Sequence, residues 1–90
     1  MQIKIERRAS DERLKQLGVR SWPRWSKDAS HFPWKYDASE TCYFLDGEVT
    51  VIPEGGEAVT MGAGDLVTFP EGMKCIWEIH QPVNKHYNFD

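Results

Sequence analysis

"ETCYFLDGEVTVIPEGGEAVTMGAGDLVTFPEG", residues 40–72, is the stretch on which the fold turns. It breaks into short segments rich in β-branched and aromatic residues: "ETCYFL", "EVTVI", "EAVTM" and "LVTF". Between them stand Asp46-Gly47, "PEGGE", "GAGD" and "PEG", all built from residues that favour turns. None of these connections is long enough for the crossover helix that parallel strands require. The expectation is therefore an antiparallel sheet closed into a sandwich or barrel.

The pattern continues on both sides. Upstream, "HFPWKYD" alternates, with Phe32, Trp34 and Tyr36 on one face, and Pro33 marks an edge or the start of a strand. Downstream, "KCIWEIH" and "NKHYNF" read as two further strands joined by "QPV". "ASDERLKQLGV" reads as one short helix. Ser10 can cap it, Asp11 and Glu12 suit the positive end of the helix dipole, and Gly18 stops it. Leu14 and Leu17 give this helix a narrow apolar stripe, so it must pack on something else. The expected organisation is one domain over residues 1–90, with the helix at about 10–17 and the barrel at about 20–89.

A chain of 90 residues buries somewhat over ~60% of the surface its unfolded form exposes, so it needs a well-formed core, a partner subunit or a staple. Four tryptophans and an aromatic share of 12% favour the first two. The net charge of −3 is unevenly spread: residues 1–20 hold six Lys/Arg against three acids, whereas residues 37–71 hold eight acids and no Lys or Arg. The plain explanation is acids on turns and outward strand positions. A nucleic-acid partner is not expected, because the aromatic-rich middle of the chain is acidic where a polyanion needs cations. No apolar run approaches the ~18 residues that span a bilayer, and "MQIKIERRASDERLK" is unlike a signal peptide. The expectation is a cytoplasmic protein without membrane contact. Cys42 and Cys75 lie far apart with no CxxC spacing, against a zinc ribbon or a redox motif. A reducing cytoplasm also disfavours a disulfide between them.

Alternation assigns the faces. Glu40, Cys42 and Phe44 share one side of their strand, and Cys75, Trp77 and Ile79 share one side of theirs, opposite Ile76, Glu78 and His80. The second set on the later strand carries the charges, so Cys75 and Trp77 should face inward. Cys42 should do the same and take Glu40 with it. A carboxylate in that position must find a cation, a metal, strong donors or a proton.

Gly64-x5-Pro70-x-Gly72, followed by a strand, resembles the second sequence motif of the cupins, and Glu40-x6-Gly47 has the spacing of the end of the first. The metal-binding His of the second motif falls on Cys75, and the closing Asn on Ile79. The His-x-His of the first falls on Trp34 and Tyr36, and the Gly before it on Asp28. Both frames are present and every motif histidine is replaced. "ETCYFLDGEVTV", "GAGDLVTFPEG", the Cys75-x-Trp77 run and the late Lys-His-Tyr are together similar to small single-domain cupins grouped with (S)-ureidoglycine aminohydrolase. The resemblance covers about residues 20–89. It implies an all-β antiparallel cupin jelly-roll barrel with a short N-terminal helix, and a homodimer, since cupins commonly dimerise. The family's characterised enzyme is a manganese-dependent aminohydrolase of two cupin modules; other relatives serve ethanolamine utilisation.

Two functional readings follow. In the first, the barrel holds an aromatic-lined pocket for a small-molecule ligand, bounded by Trp34, Tyr36, Glu40, Cys75, Trp77 and His86. Glu40 then anchors a cationic or amino-bearing ligand, with cation–π help from the rings. In the second, Glu40, Cys75 and His86 hold one divalent metal (Mn, Fe, Ni or Zn) in an enzyme acting on a small nitrogenous metabolite. Against both stands a purely structural filling of the barrel, in which Tyr36 donates to Glu40. Cys75 with His86 and Glu40 also has the residue types of a nucleophilic thiol arrangement, without an oxyanion-hole signature. His31 precedes the first motif and His80 should face outward. Trp22 and Trp25 in "SWPRW" are expected to plug one end of the barrel or cover a subunit interface.

Overall fold

Local sequence signals place the helix where the polypeptide forms it. The computed structural model describes residues 2–90. In it α1 spans Asp11–Leu17, the Ser10 side chain accepts from the Arg13 N–H, and Gly18 closes the helix in the left-handed conformation at φ 70°. Leu14, Val19 and Leu66 form a small cluster that docks the helix on the outside of the sheet, with Tyr43 and Trp22 packed against it. Among the described residues no helix is long and apolar enough to cross a membrane.

The rest is one antiparallel sheet that bends over itself. Its strands are β1 (Lys4–Glu6), β2 (Arg24–Lys27), β3 (Ser30–Lys35), β4 (Glu40–Pro53), β5 (Val59–Gly62), β6 (Leu66–Phe69) and β7 (Lys74–Phe89). The order is β1-β6-β4-β7-β2, with β3 also paired to β7 and β5 to β4. The antiparallel fold agrees with the sequence expectation. Two details do not. Asp46-Gly47 is not a turn between two strands, and "QPV" is not a loop; β4 and β7 each run straight through and pair along their whole length.

Both strands bend at the same place. The register between them slips from Phe44 to Val49, and Gly47 sits there at φ 104°. A Cβ on Gly47 would lie 2.7 Å from the Pro82 carbonyl oxygen and 2.7 Å from Val83 Cα, so only glycine lets β7 cross so closely. The first half of β4 pairs with β6 and the end of β7, and its second half with β5 and the start of β7. The inner face holds one continuous core that includes Tyr36, Cys42, Phe44, Val49, Val51, Met61, Val67, Phe69, Trp77, Ile79 and Val83.

The N-terminal strand is tied down by Asp65. This buried carboxylate accepts from Arg7 Nη1 at 2.7 Å and from the Gly62 N–H at 2.9 Å. β1 thereby joins β6 next to the turn at Gly64.

Candidate functional site

The site follows from which side of β4 and β7 each side chain takes. Phe44 pairs with Lys85 and Tyr43 with His86. Since Phe44 faces inward, Lys85 does too, whereas His86 shares the outer face with Tyr43. Along β7 the same parity keeps Cys75, Trp77, Ile79, Val83 and Lys85 buried, with Gln81 exposed where the ladder to β4 slips. A lysine is thus placed in the core by the same parity that places Trp77 there.

Lys85 and Glu40 meet inside. Only 5% of Lys85 and 4% of Glu40 is exposed, and Lys85 Nζ donates to Glu40 Oε2 at 3.1 Å. The Cys42 thiol donates to the same Oε2 at 2.8 Å, and Nζ also donates to Cys42 Sγ at 3.2 Å. Aromatic faces surround the ammonium, with the Trp77, Trp25 and Phe44 ring centroids at 4.6, 5.1 and 5.9 Å. The question raised by a lone acid among apolar neighbours therefore has an intramolecular answer: its counter-ion is Lys85.

This pair forms part of the wall of a cavity of about 220 Å³, lined also by Trp25, Phe32, Trp34, Tyr36, Trp77, Tyr87 and Phe89. Trp34 and Phe89, 49% and 54% exposed, border it on the solvent side. Phe32 and Trp77 stack nearly parallel, at 16°, and Trp25 meets Trp77 edge-on. Trp77 Nε1 donates to the Tyr36 hydroxyl at 3.1 Å. Burial, and then the nearby Glu40 carboxylate, hold the Tyr36 phenol far above its ordinary pKa, so it stays a neutral donor.

Of the six residues expected to bound the pocket, the structure brings Trp34, Tyr36, Glu40 and Trp77 to this cavity and places two elsewhere. His86 is a correction: its Nδ1 lies 3.0 Å from the Trp22 carbonyl, on the helix side of the sheet. Cys75 is the other. It is buried, but its thiol points at the Trp34 carbonyl at 3.7 Å, and it lines a separate concavity with Pro33, Ile52 and Pro53. Burial pushes its pKa up to about 11, the opposite of what a nucleophilic thiol needs. The Cys75–His86–Glu40 arrangement is therefore not assembled. Trp25, expected to plug the barrel end or cover a subunit interface, sits on β2 against Lys85 and lines the cavity. Lys85 and Tyr87 were missed because the break assumed at "QPV" hid the parity running from Ile79 through Val83.

The model of the EutQ-like cupin domain matches residues 14–87. The chain belongs to the EutQ-like cupin family. It is 48% identical to a DUF861-family protein of Thermotoga maritima, over 99% of this chain and 100% of that one, with a TM-score of 0.95. A putative ethanolamine utilisation protein Q of Salmonella typhimurium is 30% identical over 71% of this chain and 51% of its own, with a TM-score of 0.64. The Clostridium difficile EutQ protein shares the fold, at 23% identity over 71% of this chain and 50% of its own, with a TM-score of 0.65. The chain thus spans the whole Thermotoga protein and about half of each EutQ protein. No curated protein matches significantly. The finer placement, with the (S)-ureidoglycine aminohydrolase group, is not carried by these likenesses.

Cupins of the ordinary kind hold a metal on three His and a Glu. The residues here do not fit such an ion. The motif positions are filled by Trp34, Tyr36, Glu40 and Cys75, and the carboxylate among them is already neutralised by an ammonium 3.1 Å away. Among the described residues no three His, Cys, Asp or Glu side chains stand close enough to share a metal. Glu40, Cys75 and His86 in particular are not brought together.

Proposed function

We propose that this cupin binds a small organic molecule in the aromatic cavity, with the Glu40–Lys85 pair as its polar anchor. The observation that carries the reading is the pair itself, buried at the wall of a cavity of about 220 Å³. Burying two charges costs several kcal/mol in desolvation, and a well-packed apolar pair commonly does as well or better for stability. Such a pair facing an accessible cavity has its use in recognition. The aromatic walls supply contact area with little entropy loss, and the polar groups fix orientation. The volume lies below the ~300–1,000 Å³ of drug-sized sites, so the ligand is a small metabolite.

The reading is tested by screening small polar and aromatic metabolites against the purified protein, following the indole N–H signals of Trp25 and Trp77 by NMR. Binders should shift both signals and raise the melting temperature, and Glu40→Gln should abolish the effect. A screen without cavity binders, or binders indifferent to Glu40→Gln, sinks it. The metal-dependent reading finds no donor set among the described residues to support it.

A further inference from the structure

The cavity presents polar groups that the protein leaves unpaired. Lys85 has three N–H bonds; two go to Glu40 Oε2 and Cys42 Sγ, and the third meets no acceptor atom among the described residues. Glu40 Oε2 takes both the ammonium and the thiol, while Oε1 has no donor among them. No fully buried side-chain nitrogen or oxygen among the described residues lacks a partner, so Oε1 keeps some accessible surface, and Glu40 lines the cavity. The Tyr36 hydroxyl accepts from Trp77, and its own hydrogen has no acceptor among the described residues. Glu40, Lys85 and Tyr36 all line the one cavity, so its wall carries an acceptor beside a donor at the ion pair, and a second donor at Tyr36, each with hydrogen-bonding capacity that no protein partner takes among the described residues.

Charge then decides what can bind. Glu40 and Lys85 cancel, so the empty-handed site is neutral. A cationic ligand would have to share Glu40 with an ammonium 3.1 Å from it, and an anionic one would share Lys85 with the carboxylate. Either would leave a net charge among aromatic walls, which is costly. The rings that would attract a ligand cation, Trp77 and Trp25, are already engaged by Lys85. Resting on the binding reading above, we infer that the ligand is a neutral, flat molecule bearing a carboxamide-type group. Its N–H donates to Glu40 Oε1 and its carbonyl oxygen accepts from Lys85, with its plane against the Phe32–Trp77 stack. The cavity holds the volume of about seven waters at ~30 Å³ each, enough for one small ring and such a group.

Three compounds of one shape isolate the charge: benzamide (neutral), benzamidine (cation) and benzoate (anion). Each is titrated into the wild-type protein at neutral pH by calorimetry, with the Trp25 and Trp77 indole signals locating the site. Benzamide should bind with a Kd at least about tenfold below either charged analogue, a gap of about 1.4 kcal/mol. Lys85→Met should move the preference toward benzamidine and Glu40→Gln toward benzoate, a crossover that a merely structural pair would not produce. Either charged compound binding the wild-type protein as well as benzamide overturns the inference and leaves the pocket reading standing. Failure of all three to bind also overturns it, and the wider metabolite screen then judges the pocket reading separately. The wild-type ranking decides even if a variant fails to fold.

Discussion

Phe44 and Lys85 stand opposite each other across the β4–β7 ladder, and this pairing turns the lysine ammonium toward Glu40 rather than toward water. The two charges depend on each other. Removing either partner leaves the other buried without its counter-charge, at a cost of about 3–5 kcal/mol. We expect Lys85→Met and Glu40→Gln each to lower urea-unfolding stability by this order. The double variant should lose less than the sum, by about 1–3 kcal/mol. Strict additivity would mean that the two side chains are not coupled.

The thiols yield a second expectation. Burial holds Cys75 up to about 11, and Cys42 is raised further, by burial first and against the pull of Lys85. With an unfolded value of 9.0 for Cys75, its native thiolate fraction at pH 8 is about a hundredfold smaller than in the unfolded chain. A disulfide reagent should therefore label the native protein at least about a hundredfold more slowly than the urea-unfolded protein. Comparable rates would place a thiol in solvent.

The same groups set the alkaline limit. Cys42, Cys75 and Tyr36 all have folded pKa values raised above their unfolded ones. Their contribution is fully present below the unfolded pKa and is lost as pH rises toward the folded value, because the unfolded chain gives up protons first. Stability should fall progressively above about pH 9, with Cys75 contributing between 9.0 and about 11. Cys75→Ala should flatten that part of the profile in urea titrations at pH 8, 9 and 10. An unchanged slope would remove Cys75 from the account.

Much of this could be read from residue types, and the failures have a common cause. The turns at "PEGGE" and "GAGD", the helix with its Ser10 and Gly18 caps, and the inward set Glu40, Cys42, Phe44 follow from local rules and appear in the structure. Asp46-Gly47 and "QPV" misled because turn chemistry is also the chemistry of a sharp bend, and only the crossing of β4 and β7 distinguishes the two. Attention went to His86 rather than Lys85 because, with His31 and His80 set aside, it was the histidine left as a candidate ligand. A charged residue at an inward position is also discounted by default, since lysines are rarely buried unless paired. β1 was not expected at all: three residues carry too little pattern, and Asp65 fixes them from a distance of more than fifty positions.

The bend offers a direct comparison between two glycines. Gly47 and Gly55 both have positive φ, at 104° and 72°, but a Cβ on Gly55 meets nothing within 4 Å. Gly55→Ala should cost only the backbone strain, about 1 kcal/mol. Gly47→Ala adds a clash with the Pro82 and Val83 backbone, and should cost several kcal/mol or prevent folding. Equal melting temperatures for the two variants would contradict the close crossing.

Asp65 and Arg7 should respond unequally. Arg7 is largely exposed, so Arg7→Ala should cost less than about 1 kcal/mol. Asp65→Ala also deprives the Gly62 N–H of its acceptor and should cost about 1–3 kcal/mol. Similar losses in denaturant titrations would point to the ion pair alone.

Among the described residues β3 is paired along one side, by β7, and Pro33 within it has no N–H to offer. It also carries Phe32 and Trp34, two faces of the cavity. Like β2, which among these residues pairs with β7 alone and carries Trp25, it is an edge ribbon in the cavity wall and frays more cheaply than the charged end, which stays anchored between strands paired on both sides. On the binding reading proposed above, exchange of a guest needs only the breathing of these six residues and not the unfolding of the barrel.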